Sequence, residues 1–294
     1  MRIVHFSDIH VGRLPRDPGA LLDKRLLGTL NFLLCRRRGI DEQVVRLATA
    51  RIRALKPDVV VCTGDLTCTG APEEFAGARS LLKPLTEAGA GDLLVVPGNH
   101  DLYVRNEKCR RECADTIRWL NADSLSLPQL PCEVRRGGLR LFLLNESRPQ
   151  GPLSSGGALS VLSEQWLRER VSETRGEAER RIAVGHFPVR NAAGRRLGGR
   201  RRLRNGEAID QALRSGELDV ALCGHIHTPF RRDERSGAME ICAGSLSVAG
   251  KINIVDYCPL SGELVQHWDD VGGAAPPETE LARPFVPAEA GAVR

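Results

Sequence analysis

Short apolar runs alternate with amphipathic stretches along most of this chain, and the alternation predicts strands and helices in turn. The run at 2–7, carried by Ile3, Val4 and Phe6, predicts a first strand. Val44, Val45, Leu47, Ala48, Ile52 and Leu55 recur at helical spacing, so a helix is predicted over 41–56, stopped by Pro57. Apolar blocks at 58–62 and 93–96 predict buried strands on either side of a second helix over 72–88. The same grammar returns in the second half. Strands are predicted at 139–144, 181–184 and 219–223, with helices over 163–171 and 205–213, the latter N-capped by Asn205. Three further strands follow at 239–242, 251–257 and 263–268, with no helix predicted between them. Past 272 the chain is rich in Ala, Pro, Glu and Gly. The domain is therefore placed at 1–271 and a loose tail at 272–294.

Composition narrows the class. Apolar residues make up 41% and charged residues 27% of the 294, as in an ordinary soluble globular protein. No run of eighteen apolar residues exists that could span a bilayer. The start MRIVHFSDIH lacks the long apolar stretch and cleavage site of a signal peptide. Nine cysteines are scattered without metal-finger spacing, which suits a reducing cytosol. Cys62, Cys223 and Cys242 sit in apolar runs and read as buried thiols. Cys109 and Cys113, four apart on a predicted helix, are candidates for a redox pair.

The net charge of +5 is modest but uneven, with seven arginines in the fifteen residues from Arg190 to Arg204. A second basic group brackets Lys24 and Arg25 to Arg36, Arg37 and Arg38. Such runs are either solvated surface or attract phosphate, nucleic acid or anionic lipid.

Five short motifs stand in fixed order: Asp8-x-His10, Gly64-Asp65, Gly98-Asn99-His100-Asp101, Gly185-His186 and Gly224-His225-x-His227. Each follows the C-terminal end of an apolar strand, the edge at which open α/β sheets place their sites. Carboxylate, amide oxygen and imidazole together suit divalent Mn, Fe, Zn or Co better than Ca. The glycines before Asp65, Asn99, His186 and His225 fit sharp turns in which a Cβ would obstruct the backbone. Asn145 and Glu146 end a strand on the same side and either line the cleft or form a turn. His5 and His267 lie within strands and carry no assigned function.

With all five motifs unbroken, the chain resembles the calcineurin-like metallophosphoesterase superfamily over 1–266. The resemblance implies a four-layer α/β fold, two mixed β-sheets packed face to face with helices outside. It also implies two divalent transition-metal ions. Asp8, His10 and His227 would bind one, Asn99, His186 and His225 the other, and Asp65 would bridge them. Two such ions clamp a phosphoryl group and activate a water as hydroxide. His100 would then act on the transition state or protonate the leaving oxygen, with Asp101 fixing its tautomer by accepting a hydrogen bond.

The substrate is less constrained. Gly64-Asp65-Leu66-Thr67 and Asp101 differ from the protein-phosphatase signature, and are similar to the bacterial branch named for cyclic-nucleotide phosphodiesterases. The segment 23–38 reads as an insertion, an amphipathic helix with Leu26, Leu27, Leu30, Leu33 and Leu34 on one face and basic ends. It resembles the membrane-facing insertion of chlamydial-type UDP-diacylglucosamine pyrophosphatases. The bland alternative is a helix that packs on the domain. Arg195, Arg196, Arg200 and Arg201 are the candidates for gripping a diphosphate. The expectation is a phosphodiester or pyrophosphate hydrolase, cytoplasmic and peripheral on an anionic inner membrane face. A cyclic-nucleotide phosphodiesterase and a DNA-repair nuclease are the alternatives. The complete ligand set argues against a catalytically dead scaffold.

Overall fold

The first strand, β1 (Arg2–Phe6), is buried beyond Arg2. In the computed structural model residues 1–36, 39–151 and 153–271 are described. The predicted tail at 272–294, and Arg37 and Arg38 of the insertion, lie outside the described residues. Next comes α1 (Lys24–Asn31), whose N-cap Asp23 accepts the Arg25 N–H at 2.8 Å. α2 (Glu42–Leu55) runs from its N-cap Asp41 to Lys56, which turns left-handed before Pro57. β2 (Val59–Cys62) is wholly buried. α3 (Pro72–Leu82) is shorter than the predicted 72–88, because Pro84 has no N–H to donate and 83–86 tighten into a 3-10 turn.

β3 (Asp92–Val95) and α4 (Glu107–Leu120) follow. Cys109 and Cys113 both lie buried on α4 as free thiols. β4 (Cys132–Arg136), an unpredicted strand, is partly exposed and therefore carries little apolar signal. β5 (Leu139–Leu143) is fully buried, and β6 (Gly157–Ala158) is a short segment. α5 (Val161–Ser172) begins ahead of the predicted 163, because Ser160 caps it by accepting the Ser163 N–H at 3.0 Å. β7 (Arg180–Val184) and β8 (Leu203–Arg204) lead into α6 (Glu207–Ser215). Here Asn205 is not the N-cap. It sits at φ 56 and donates its amide to the Leu159 carbonyl at 3.1 Å, and Gly206 takes the cap position.

β9 (Val220–Cys223), the unpredicted β10 (Phe230–Asp233) and β11 (Met239–Cys242) precede a short helix α7 (Leu246–Ala249). That helix was not expected between the last strands. β12 (Lys251–Tyr257) and β13 (Leu264–Asp270) end the described chain.

Two sheets carry the architecture. One has the order β13-β12-β1-β2-β3 and the other β10-β11-β9-β7-β5-β4. Each has a parallel heart, β1-β2-β3 in one and β5-β7-β9-β11 in the other, with antiparallel strands at its margins. Because side chains alternate across a strand, each sheet has two buried faces. Ile3, Val59 and Val61 meet Leu141, Ile182 and Leu222 between the sheets. Val4, Phe6 and Val60 pack instead under α2 and α3, against Ile52 and Phe75. Phe142 and Ala183 pack under α5 and α6, against Leu167 and Leu213. The result is helix, sheet, sheet, helix, the expected four layers. The C-terminal ends of β1, β2, β3, β5, β7 and β9 converge at one edge. No helix among the described residues is long and apolar enough to cross a membrane.

Candidate metal centre

The loop after β1 lies along the loop after β2. Asp8 N–H donates to the Gly64 carbonyl at 2.9 Å, His10 N–H to Asp65 at 3.0 Å and Val11 N–H to Leu66 at 2.9 Å. These bonds hold an unusual backbone, with φ of 56 at Asp8, 49 at His10 and 54 at Asp65; His225, whose N–H meets Asp8 Oδ2, shares it at 64. Left-handed conformations at non-glycine residues cost about 1–3 kcal/mol each and persist where the surroundings over-determine them. Four of the seven expected ligands adopt one.

Three of the motif glycines serve a purpose other than a turn. A Cβ on Gly98 would lie 2.1 Å from Asp65 Oδ1, one on Gly185 would lie 2.5 Å from Glu146 Oε1, and one on Gly224 would lie 2.3 Å from Asp8 Oδ2. Each makes room for a carboxylate arriving from another strand, so the turn-only reading of these glycines is corrected.

The donor atoms gather in two overlapping groups. Asp8 Oδ1 is 3.4 Å from His10 Nε2 and 3.6 Å from His227 Nε2, and these two nitrogens are 3.0 Å apart. Asn99 Oδ1 is 3.2 Å from His186 Nε2 and 2.9 Å from His225 Nδ1. Asp65 Oδ2 stands between them, 3.4 Å from His186 Nε2 and 3.8 Å from His10 Nε2.

The other ring nitrogens fix the tautomers. His10 Nδ1 faces the Thr67 carbonyl at 3.2 Å and His186 Nδ1 faces the Thr63 carbonyl at 2.6 Å. A proton on each Nδ1 leaves each Nε2 with a lone pair directed at carboxylate and amide oxygens. Acceptors facing acceptors repel unless a cation lies among them. Asp8 Oδ2 accepts the His225 N–H at 3.0 Å, while Asp8 Oδ1 is buried with no hydrogen-bond partner among the described residues. The residues present therefore fit divalent ions.

Electrostatics agree. Burial opposes ionisation of Asp65, but His186, His100 and His10 outweigh it and hold the carboxyl well below the usual range. Burial also opposes a charge on His186, yet Asp65 and Asp8 outweigh it and lift its pKa to about 10. His225 goes the other way, down to about 3, from burial and the neighbouring His186. The carboxylates thus draw positive charge to this point, as protons or as metal.

His100 is partly buried beside these groups. Its N–H donates to Asp65 Oδ1 at 2.8 Å, and its ring stacks on Tyr103 at 5.2 Å between centroids. Nδ1 lies 2.5 Å from the Cys68 carbonyl. Asp101 is engaged by the backbone of the loops around it. Its Oδ2 accepts the Gly98 N–H at 2.9 Å and its Oδ1 the Thr67 N–H at 3.1 Å, so it braces the ligand loops and the Cys68 carbonyl sets the tautomer.

Glu146 was left open by the sequence. Its Oε2 accepts the N–H groups of His186 at 2.7 Å and Phe187 at 2.8 Å, so it anchors the loop carrying a ligand. Burial pushes its carboxyl up to about 7. Asn145 forms a turn, accepting the Ser147 N–H at 3.1 Å. Only its place at the end of β5 signalled either residue.

The four arginines proposed for substrate divide. Arg201 lies close enough to His225 to help depress its pKa. Arg196 is engaged by Glu207 of α6 at 2.8 Å. Arg195 and Arg200 form no side-chain hydrogen bond or ion pair among the described residues.

The insertion packs on the domain through Lys24 and Arg25, and also through Gly28 against Thr69 and Tyr103 and Phe32 against Gly12. Lys24 Nζ sits 4.2 Å from the centre of the Tyr103 ring and donates to the Ser154 carbonyl at 3.0 Å. Arg25 is buried against Asp17 and Asp23. Leu26 is partly buried, whereas Leu27, Leu30, Leu33 and Leu34 remain exposed, Leu34 at 81%.

Comparison with known proteins places this geometry. The family described as calcineurin-like phosphoesterase matches residues 1–229. A cAMP/cGMP dual specificity phosphodiesterase of Mycobacterium tuberculosis is 27% identical over 227 residues, covering 76% of this chain and 61% of that protein. The chain thus spans less than two thirds of that relative. A 3′,5′-cyclic-nucleotide phosphodiesterase of Nostoc is 27% identical over 229 residues, 76% of each protein. Among solved structures, a dimetal phosphatase from Danio rerio superposes with a TM-score of 0.57 at 17% identity, covering 87% of this chain and 94% of that one. A purple acid phosphatase from yellow lupin gives 0.55 at 11% identity, covering 97% and 56%. At these identities the structural likeness concerns the fold.

Proposed function

The chain belongs to the calcineurin-like phosphoesterase family, and we propose that it is a hydrolase that cleaves phosphodiesters at the paired donor groups. The observation that carries this reading is Asp65 Oδ2, shared between the His10 and His186 nitrogens. Asp8, His10 and His227 would hold one divalent ion and Asn99, His186 and His225 the other, with Asp65 common to both. Bound there, manganese, iron or zinc supplies charge that lowers the pKa of a water and neutralises the phosphoryl oxygens.

The protein's own part is to position and to move a proton. Thr63 and Thr67 carbonyls orient two of the ligand imidazoles, and Glu146 fixes the His186 backbone. His100 shares a proton with the Cys68 carbonyl through Nδ1, so Nε2 is the nitrogen that can carry a proton to the leaving oxygen.

Cyclic nucleotides are the first substrates to try, on the strength of the two cyclic-nucleotide phosphodiesterase relatives. A lipid-linked diphosphate at an anionic membrane is the second reading, supported by the exposed leucines of α1 next to Lys24 and Tyr103. The test is a hydrolysis panel with Mn²⁺: bis-p-nitrophenyl phosphate, cyclic AMP and UDP-diacylglucosamine. Turnover of a diester by wild type, lost in Asp65→Ala, is expected. Full activity in a metal-free preparation would refute the mechanism.

A further inference from the structure

Most arginines among the described residues are paired. Arg140 meets Glu133 and Glu173, Arg190 meets Asp210, and Arg232 meets Glu240. Arg105, Arg110, Arg111 and Arg148 break the pattern, forming no side-chain hydrogen bond or ion pair among the described residues. All four line one groove of about 780 Å³, opposite a single acidic side chain, Glu107. Like charges held together without counter-ions repel, so the arrangement suits an anion supplied from outside.

The groove belongs to the active edge. Leu102 in its wall follows Asn99 by three residues, so their Cα atoms are at most about 11 Å apart. Ser147, also in the wall, donates its hydroxyl to the Pro97 carbonyl at 3.0 Å, just before the Asn99 loop. Toward the other side, desolvation and then the field of Arg204 lower the Arg148 pKa. Arg201 in the same loop reaches the field of His225. Arg148 thus stands between the α4 arginines that share its groove and the Arg201–Arg204 segment.

We propose that this groove binds a second phosphate of the substrate. The enzyme would then prefer a linear phosphodiester carrying a further phosphate, such as a short 5′-phosphorylated oligonucleotide. The proposal rests on the phosphodiesterase reading and on neither of the two substrates named for it. A guanidinium fork matches phosphate oxygens in paired hydrogen bonds, and the apolar wall of Leu102, Leu127 and Leu130 offers a surface for a base or sugar.

The experiment compares wild type with the triple variant Arg110→Ala, Arg111→Ala, Arg148→Ala, using Mn²⁺-loaded protein of checked Tm. Substrates are 5′-phosphorylated dithymidylate, the same dinucleotide without its terminal phosphate, bis-p-nitrophenyl phosphate and a UDP-sugar. Wild type is expected to favour the phosphorylated dinucleotide by tenfold or more in kcat/KM. The variant should lose that preference and keep its rate on the other two diesters. Wild type that ignores the terminal phosphate, or a variant that slows equally on every diester, overturns the proposal. If the variant-sensitive gain appears with the UDP-sugar instead, the second phosphate belongs to a diphosphate bridge and the oligonucleotide form is wrong. No turnover of any diester brings down the phosphodiesterase reading and this proposal together.

Discussion

Gly224→Ala is a small change with a large expected consequence. The added Cβ would lie 2.0 Å from Ser7 Oγ and 2.3 Å from Asp8 Oδ2. An ordinary carbon–oxygen contact is more than about 3 Å, so something must move by roughly 1 Å. Ser7 can rotate, since its hydroxyl bond to the Gly64 carbonyl is long at 3.5 Å. Asp8 cannot readily yield, because Oδ2 is held by the His225 N–H at 3.0 Å and both flanking loops are pinned. Crowding of this kind costs about 1–3 kcal/mol, or several degrees of Tm for a chain of this length.

Metal binding should suffer more, because a site tolerates only about 0.5 Å of misplacement. Metal content by mass spectrometry is expected to fall from two ions toward one, through loss of the Asp8, His10 and His227 group. Turnover of bis-p-nitrophenyl phosphate should drop by about a hundredfold or more. Gly198→Ala, where an added Cβ meets nothing within 4 Å, is the control and should match wild type. Two metals and activity within twofold of wild type for Gly224→Ala would show that Asp8 is not held as argued.

His100→Ala should lower kcat by about a hundredfold while metal content stays at two; loss of both ions would make His100 a ligand. Asp101→Asn should reduce Tm and metal retention, because it unpairs the Gly98 N–H, and a shifted pH optimum with unchanged stability would support the orienting role instead. His186 has a folded pKa raised to about 10 by Asp65 and Asp8 against burial, so in EDTA-treated protein its contribution is full below about pH 6.5 and is lost as pH rises through 10. Tm of the metal-free protein should therefore fall across that window more steeply than that of Mn²⁺-loaded protein, and equal slopes would count against the assignment. Leu27→Glu with Leu30→Glu, both at exposed positions, should weaken salt-sensitive binding to anionic liposomes and spare a soluble diester. Wild type that ignores such liposomes at low salt would end the membrane reading.

Much of the fold was legible where the signal was local. Val44, Val45, Ile52 and Leu55 announce α2 by their spacing, and Pro57 ends it, because both facts concern neighbours along the chain. Boundaries failed where a distant partner decided. Asn205 is a good cap by type, yet Leu159 claims its side chain and Gly206 takes the position. β4 and β10 escaped notice because marginal strands are half exposed and carry a weak apolar pattern.

The seven donor residues and their place after apolar strands could be read from the sequence, because a metal ligand must be a specific residue type and a buried strand must be apolar. How those donors are held was not written locally. His186 is oriented by Thr63, Glu146 clamps the His186 backbone, and Asp8 accepts from His225 across 217 residues of sequence. The unpaired arginines are equally invisible in one dimension: Arg110 on α4 and Arg148 after β5 become neighbours only when the sheet edge closes. Residue identity sets which chemistry is possible. Only the packing of two sheets decides which carbonyl faces which imidazole and which cation lacks a partner, since hydrogen bonds and fields act through space.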